Sequence, residues 1–280
     1  MKTLYLIFSL LIISFVLGIA SLEAATEITS LPYTINSSGS YYITKDLSST
    51  NHGIIVNKNH VTIDLMGHSI KGSSSGGYHG IYINGRTNVE IKNGTIRNFG
   101  LNGIYEESNS GNSHRIINVR VIGNKGSGIY LNGYNNLVQS CTVSYNYEHG
   151  IAIYLSSTIT GNTVNSNGFS GINTYIGCTI MGNIVNANNS FGIYNYGGST
   201  IISNTVCGNG WDGIFIEEGG STVKNNTVDL NGDYGIYFGL SFCLVDGNTA
   251  GMNDQSGLGY PDISDCLTCT FGFNSYVLGP

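Results

Sequence analysis

Alanine and charge are both scarce in this sequence. Alanine occurs 6 times in 280 residues, and charged residues make up 10%, against about 25% in an average soluble domain. Stretches mixing Glu, Lys, Leu and Ala are missing, which excludes a helix bundle or a coiled coil. Only 11 Lys and Arg are scattered along the chain, with a formal charge of −6. No basic face is therefore available to neutralise phosphates, and nucleic acid is not an expected partner. Beyond the N-terminus no segment stays apolar for the roughly 20 residues a membrane-spanning helix needs. Membrane insertion after removal of the leader is not expected.

Glycine (40) and asparagine (34) dominate instead. With 41% hydrophobic residues and 19 Tyr, the chain is too apolar and aromatic to remain disordered. Strands joined by turns are the expected structure. Met1-Lys2 leads into an apolar run from Leu4 to Ile19, followed by small residues up to Ala24 and Ala25. This is the layout of a secretory signal peptide, so residues 1–24 are read as a cleaved signal and the protein as secreted, extracellular or periplasmic. Six cysteines remain. Cys178 and Cys243 fall in one column of the repeat described next, three coils apart, beyond disulfide reach. Cys266 and Cys269 form a lone CxxC, expected to be a disulfide because a structural zinc site needs four ligands.

Self-comparison decides the fold. Gly-Ile-x recurs at Gly80, Gly103, Gly128, Gly150, Gly171, Gly192, Gly213 and Gly235, at intervals of 23, 25, 22, 21, 21, 21 and 22 residues. Each unit carries a second motif, Asn162-Thr163-Val164 and its copies at Asn183, Asn204, Asn226 and Asn248, and a further Asn five residues on, at Asn167, Asn188, Asn209, Asn231 and Asn253. Units this short hold two or three alternating strands and no helix, and none can bury its apolar face alone. Stacking places Ile81, Ile104, Ile129 and their successors in one interior ladder and the valines in another. The Asn columns are read as corners that tolerate left-handed backbone and bond amide to amide along the axis. Leu is not the repeating residue, which argues against a leucine-rich repeat. The expected fold is all-β: a right-handed parallel β-helix of about ten coils of 21–25 residues over 51–255, with residues 25–50 and 256–280 as N- and C-terminal caps covering the strand edges.

The run Gly39-Ser40-Tyr41-Tyr42-Ile43, then Asp46-Leu47, Gly53-Ile54-Ile55-Val56 and Val61-Thr62-Ile63-Asp64-Leu65-Met66-Gly67-His68, followed by the repeats, resembles the right-handed parallel β-helix repeat proteins, in particular their NosD-like and carbohydrate-binding/sugar-hydrolase branch. That branch contains polysaccharide lyases, glycosidases, alginate epimerases and an accessory protein for copper-site assembly, so the resemblance implies a fold more than an activity. Two catalytic signatures are missing. None of Pro32, Pro261 and Pro280 follows an Asp, which removes the Asp-Pro-His-Asp motif of the epimerases. No Asp-Asp pair or Gly-His-Gly of polygalacturonase type occurs either.

Chemistry is expected on the outward side of the Gly-Ile-x strand. Side chains alternate along a strand, and the outward positions hold Tyr82, Tyr105, Tyr130, Tyr154, Tyr175, Tyr194, Tyr196, Phe215 and Tyr237, interleaved with Asn84, Asn132, Asn173, Glu107 and Glu217. Flat aromatic faces beside amides and carboxylates suit a polysaccharide laid along the rod. Mutual stacking of strand-forming aromatics for stability is the competing explanation. Asp212 and Asp233 on adjacent coils, with Glu217 nearby, are the acid/base candidates for a lyase, glycosidase or epimerase. Their alternative is a solvated loop edge. His52 and His79 occupy one column and are weak metal candidates, two ligands falling short of a site. No cofactor is expected. Polysaccharide binding along the aromatic face is the leading reading; a structural or adhesive rod and a copper-accessory protein are the others.

Overall fold

The computed structural model describes residues 24–240, 242–266 and 268–277. The expected signal, apart from Ala24, lies outside the described residues. Every regular element among them is a short strand. All pairings between the strands are parallel, in a solenoid of about eleven turns. One sheet stacks ten strands, beginning Tyr33–Ile35, Ile54–Val56, Ile81–Ile83 and Ile104–Glu106 and ending Ile214–Ile216 and Ile236–Phe238. It contains the Gly-Ile-x motif. The remaining strands form the other walls, stacking for example Thr158–Thr160 on Thr179–Met181 and Thr163–Asn165 on Ile184–Asn186. The turn count exceeds the repeat count because stacking needs extended backbone rather than the motif. Thr26–Glu27 and Gly39–Tyr42, in the segment expected to cap the stack, pair in it, as do Thr270–Phe271 and Ser275–Val277 at the far end.

Alternation fixes which side chains go inside. Ile81, Ile104, Ile129, Ile151, Ile172, Ile193, Ile214 and Ile236 pair in register and are fully buried. Val121, Val143, Val164, Val185, Val206 and Val228 form the second ladder, as expected, and Ile159, Ile180, Ile201 and Val223 line a third wall. Each fully buried Ile contributes about 1.5–3 kcal/mol. The recurrent Gly before each Ile is a matter of space. A Cβ on Gly150, Gly171, Gly192 or Gly213 would stand 2.3–2.5 Å from Cγ1 of the Val on the following coil.

The Asn columns are internal hydrogen-bond files. Asn188 Oδ1 accepts both the backbone N–H (3.1 Å) and the amide N–H (2.9 Å) of Asn167 one coil earlier. The same pattern runs from Asn124 through Asn146, Asn167, Asn188, Asn209 and Asn231 to Asn253. Asp262 closes it, accepting the N–H and amide of Asn253. A carboxylate, an acceptor without a donor, suits a last rung with no coil beyond it. A parallel file joins Asn162, Asn183, Asn204, Asn226, Asn248 and Asn274. Left-handed backbone falls one residue earlier than the sequence suggested, at Ser166 (φ 54°), Gly182 (64°), Ala187 (52°) and Gly208 (64°). The turn is made by the preceding residue so that the Asn side chain can point inward. Small side chains form another file, in which Cys178 N donates to Ser199 Oγ, Ser199 N to Ser221 Oγ and Cys243 N to Cys269 Sγ. Cys178 and Cys243 are thus buried free thiols in one column, and Cys266 is joined to Cys269.

Replacing Asn188 with Ala leaves the buried N–H and amide of Asn167 without their acceptor. A loss of about 2–4 kcal/mol is expected by urea unfolding, whereas Thr205→Ala, on the exposed side of the adjoining strand, should stay within about 0.5 kcal/mol.

Candidate functional site

The outward side chains of the ten-stranded sheet begin as one column in register: Tyr82, Tyr105 and Tyr130. Ala152 and Asn173 then take the aligned positions, before Tyr194, Phe215 and Tyr237 resume the column. Where the column lacks rings the aromatic run changes track. Tyr130 meets Tyr154, two residues past Ala152, with centroids 6.0 Å apart, and the run continues through Tyr175 (6.0 Å) to Tyr196 (4.4 Å). His79 extends the other end, stacked on Tyr105 at 4.2 Å. The nine aromatic residues singled out in the sequence therefore form two runs, Tyr82 to Tyr196 and Tyr194 to Tyr237.

Ring orientation differs along them. Tyr194, Phe215 and Tyr237 stack at 5.4 and 5.3 Å with planes within 15°, so their faces cover one another and solvent meets their edges. This is the self-stacking that the strand spacing favours. In the other run the Tyr130–Tyr154 planes open to 59° and Tyr154–Tyr175 to 36°. Tyr154 and Tyr175 are also 38% and 39% exposed. They are the two most exposed of the nine rings.

Carboxylates hold the phenols. Tyr82 donates to Glu107 at 2.7 Å, Tyr194 donates to Glu217, and Tyr196 donates to Glu218 at 3.5 Å. The bond to Glu107 pushes the Tyr82 phenol up to about 12. Burial, aided by a hydrogen bond to Tyr154, raises Tyr130.

The acid/base candidates are divided. Asp212 and Asp233 lie on neighbouring coils, and the charge of Asp233 acts on Asp212. Glu217 sits at the opposite end of strand Ile214–Ile216 from Asp212, five residues or about 16 Å away in extended chain, and is engaged by Tyr194 instead. Asp212 also carries a backbone load. Its Oδ1 accepts the N–H of Tyr234 at 2.9 Å. His52 Nδ1 accepts the N–H of His79 (3.1 Å), and His79 Nδ1 that of Asn102 (3.2 Å). All three precede a Gly-Ile pair and tie one coil to the next. The His52 and His79 rings stack at 5.5 Å, each with Nδ1 taken. Among the described residues no group of three His, Cys, Asp or Glu side chains could hold a metal.

The structure adds residues the sequence reading passed over. Trp211, half exposed, and Phe191 meet edge to face at 5.0 Å, while Tyr234 packs on Tyr237 and Tyr260, both at 4.7 Å; Trp211 and Tyr234 are the chain neighbours of Asp212 and Asp233. They lie on corner turns, where alternation along a strand gives no signal. Glu106 replaces an interior aliphatic, aligned between Ile83 and Leu131. It is fully buried against His114, also buried, with Nε2 and Oε2 3.4 Å apart. Its position two residues after Ile104 marked it as inward-facing.

Two buried corner groups give opposite pH dependence. Burial, reinforced by Asp233 and opposed by the Tyr234 N–H, pushes Asp212 up to about 7. Between the ordinary carboxyl range and that value the folded state holds a proton the unfolded chain releases, so stability falls as pH rises from about 4 to 7. Burial, with repulsion from His52, lowers His79 to about 4. Its contribution is complete above the unfolded value and is lost as pH falls from about 6.5 to 4. Asp212→Asn should therefore be more stable than wild type at pH 7 by about 2 kcal/mol, an advantage that disappears near pH 4. His79→Asn should gain on wild type only in acid. Thermal unfolding across the range checks both signs.

Comparison with known proteins places the fold. A search of curated proteins gives no match. Among solved structures, the A-module of the Azotobacter vinelandii mannuronan C-5 epimerase AlgE4 superposes with a TM-score of 0.65 at 13% identity, over 91% of this chain and 83% of that one. The periplasmic alginate epimerase AlgG gives 0.59 at 15%, over 90% and 76%. The Dettilon tailspike protein gives 0.57 at 16%, over 91% of this chain and 55% of the tailspike. At such identities the likeness is one of fold. The model of the periplasmic copper-binding protein NosD matches residues 156–249, in agreement with the NosD-like character of the repeats. The model described as the right-handed β-helix region matches residues 35–179, more than half of the chain, and the protein belongs to that family.

Proposed function

We propose that the protein is exported and binds a polysaccharide along the outward face of the ten-stranded sheet. The observation that carries this reading is the unbroken run of rings from Tyr82 to Tyr196, opened in its centre at Tyr154 and Tyr175 and flanked by hydrogen-bonded carboxylates. Tilted rings offer apolar patches to sugar C–H faces, and phenol oxygens and carboxylates accept from sugar hydroxyls. Both features repeat at the coil spacing of about 4.8 Å, which suits a polymer rather than a single small ligand. Similarity to a mannuronan epimerase and an alginate epimerase supports a polysaccharide partner. The match to a periplasmic protein family supports a location outside the cytoplasm.

A second reading makes the protein a polysaccharide-modifying enzyme. The raised Asp212, partly protonated at neutrality beside Asp233 and bonded to the N–H of Tyr234, favours it. Such a carboxyl is suited to give up a proton to a leaving group. Glu217 stands too far along its strand to share that step.

A glycan array and soluble-polysaccharide titrations, with reducing-sugar and unsaturated-product assays on each hit, separate the two. For a binder, Tyr154→Ala combined with Tyr175→Ala should weaken binding about ten-fold or more, on the order of 1.5 kcal/mol for lost stacking, and Asp212→Asn should leave it unchanged with no turnover. Turnover that vanishes in Asp212→Asn establishes the enzyme. Absence of binding to any glycan removes both readings.

A further inference from the structure

The charge pattern around the strip carries information about its ligand. No Lys or Arg lies on any strand bearing the aromatic runs. Arg86 and Lys125 occupy turns beside its N-terminal half. From Gly126 to Pro280 the sequence contains one basic residue, Lys224, and ten Asp or Glu. Lys224 lies on another wall, in strand Thr222–Lys224, paired with Asp246 at 3.4 Å. Much of the remaining positive charge, Lys92, Arg97, Arg115 and Arg120, is carried by strands Val89–Arg97 and Arg115–Ile122 of the other sheet. The histidines of the strip add little positive charge near neutrality, because burial lowers His52, His79 and His149.

Along the strip itself stand Glu107, Glu217 and Glu218, each bonded to a phenol, with Glu148 and Asp233 at its edge. A polymer bearing one carboxylate per sugar, laid along several coils, would set its charges beside these carboxylates, with no Lys or Arg on the strands of the strip to offset them. Within a Debye length of about 8 Å at physiological salt, that repulsion is not screened away. Hydroxyl and ammonium groups, by contrast, donate to carboxylates and meet complementary charge.

We infer that the strip selects glycans free of acid groups, either uncharged or carrying amino sugars, and disfavours polyuronates. The inference rests on the binding reading above and narrows its ligand class. It also separates this chain from the mannuronan and alginate epimerases whose fold it shares, because their substrates are polymers of uronic acids.

The test titrates the purified protein with an uncharged glucan, partially deacetylated chitosan, mannuronan and polygalacturonate, at low and at physiological salt. The uncharged or amino polymer should bind at least about ten-fold more tightly than either polyuronate at low salt. Added salt should weaken chitosan binding and leave glucan binding nearly constant. A variant combining Glu107→Gln, Glu217→Gln and Glu218→Gln, verified as folded by thermal unfolding, should lose chitosan affinity and narrow the gap to the polyuronates. Mannuronan binding that equals or exceeds glucan binding, or tightens as salt is lowered, overturns the inference. If that binding is still weakened by Tyr154→Ala with Tyr175→Ala, the aromatic face stands and only its charge selectivity fails. Binding of any polymer that is indifferent to those two tyrosines, or no binding at all, removes the face and this inference with it.

Discussion

Every coil of this protein depends on the next for its hydrogen bonds. A strand of three residues bounded by turns leaves most of its backbone donors and acceptors unsatisfied until a neighbour stacks in register, and an unpaired buried group is costly. The asparagine files extend the same requirement to side chains. One carbonyl oxygen of Asn188 serves two donors of Asn167, and Asn188 in turn donates to Asn209. A one-coil insertion of irregular structure would interrupt several files at once. The interior aliphatic ladders, the buried glycines and the small Ser and Cys file all follow from holding that spacing.

The same spacing governs the outer surface. Any aromatic column in register brings rings to within about 5 Å of each other, where stacking is favourable. Tyr194, Phe215 and Tyr237 obey this rule and cover their own faces. Departure from it begins at Ala152 and Asn173, where the column is empty of rings and the run moves sideways to Tyr154 and Tyr175. Tyr105 and Tyr130 are already tilted by 41°, the step to Tyr154 opens to 59°, and Tyr154 and Tyr175 are more than a third exposed.

Corner residues serve the stack before they serve chemistry. Asp212 resembles a catalytic acid by its protonation, but it fills the position that His52, His79 and Asn102 fill on earlier coils, accepting a backbone N–H from the next. A solenoid needs an acceptor there, and several side chains meet that need. The choice of Asp on one coil, beside Asp233 and next to the exposed Trp211, is what gives this acceptor a titratable carboxyl.

The repeat of Gly-Ile-x and Asn-Thr-Val determined the fold by itself, because short alternating runs separated by Gly and Asn fill each unit and leave no segment for a helix, and alternation assigns each side chain to the inside or the outside. The interior ladders, the amide files and the nine outward aromatics were all legible in that way. Alternation likewise marks Glu106 as an inward residue, although nothing local announces its partner His114. Only the tertiary structure decided which rings touch, how far they tilt and which acids share a neighbourhood. Glu217 and Asp212 are five residues apart in sequence yet at opposite ends of an extended strand, whereas Asp212 and Asp233 are 21 apart and lie on neighbouring coils. The physical reason is that stacking joins residues one coil apart and extended chain separates those within a coil. Proximity in this molecule therefore follows the axis of the solenoid rather than the order of the chain.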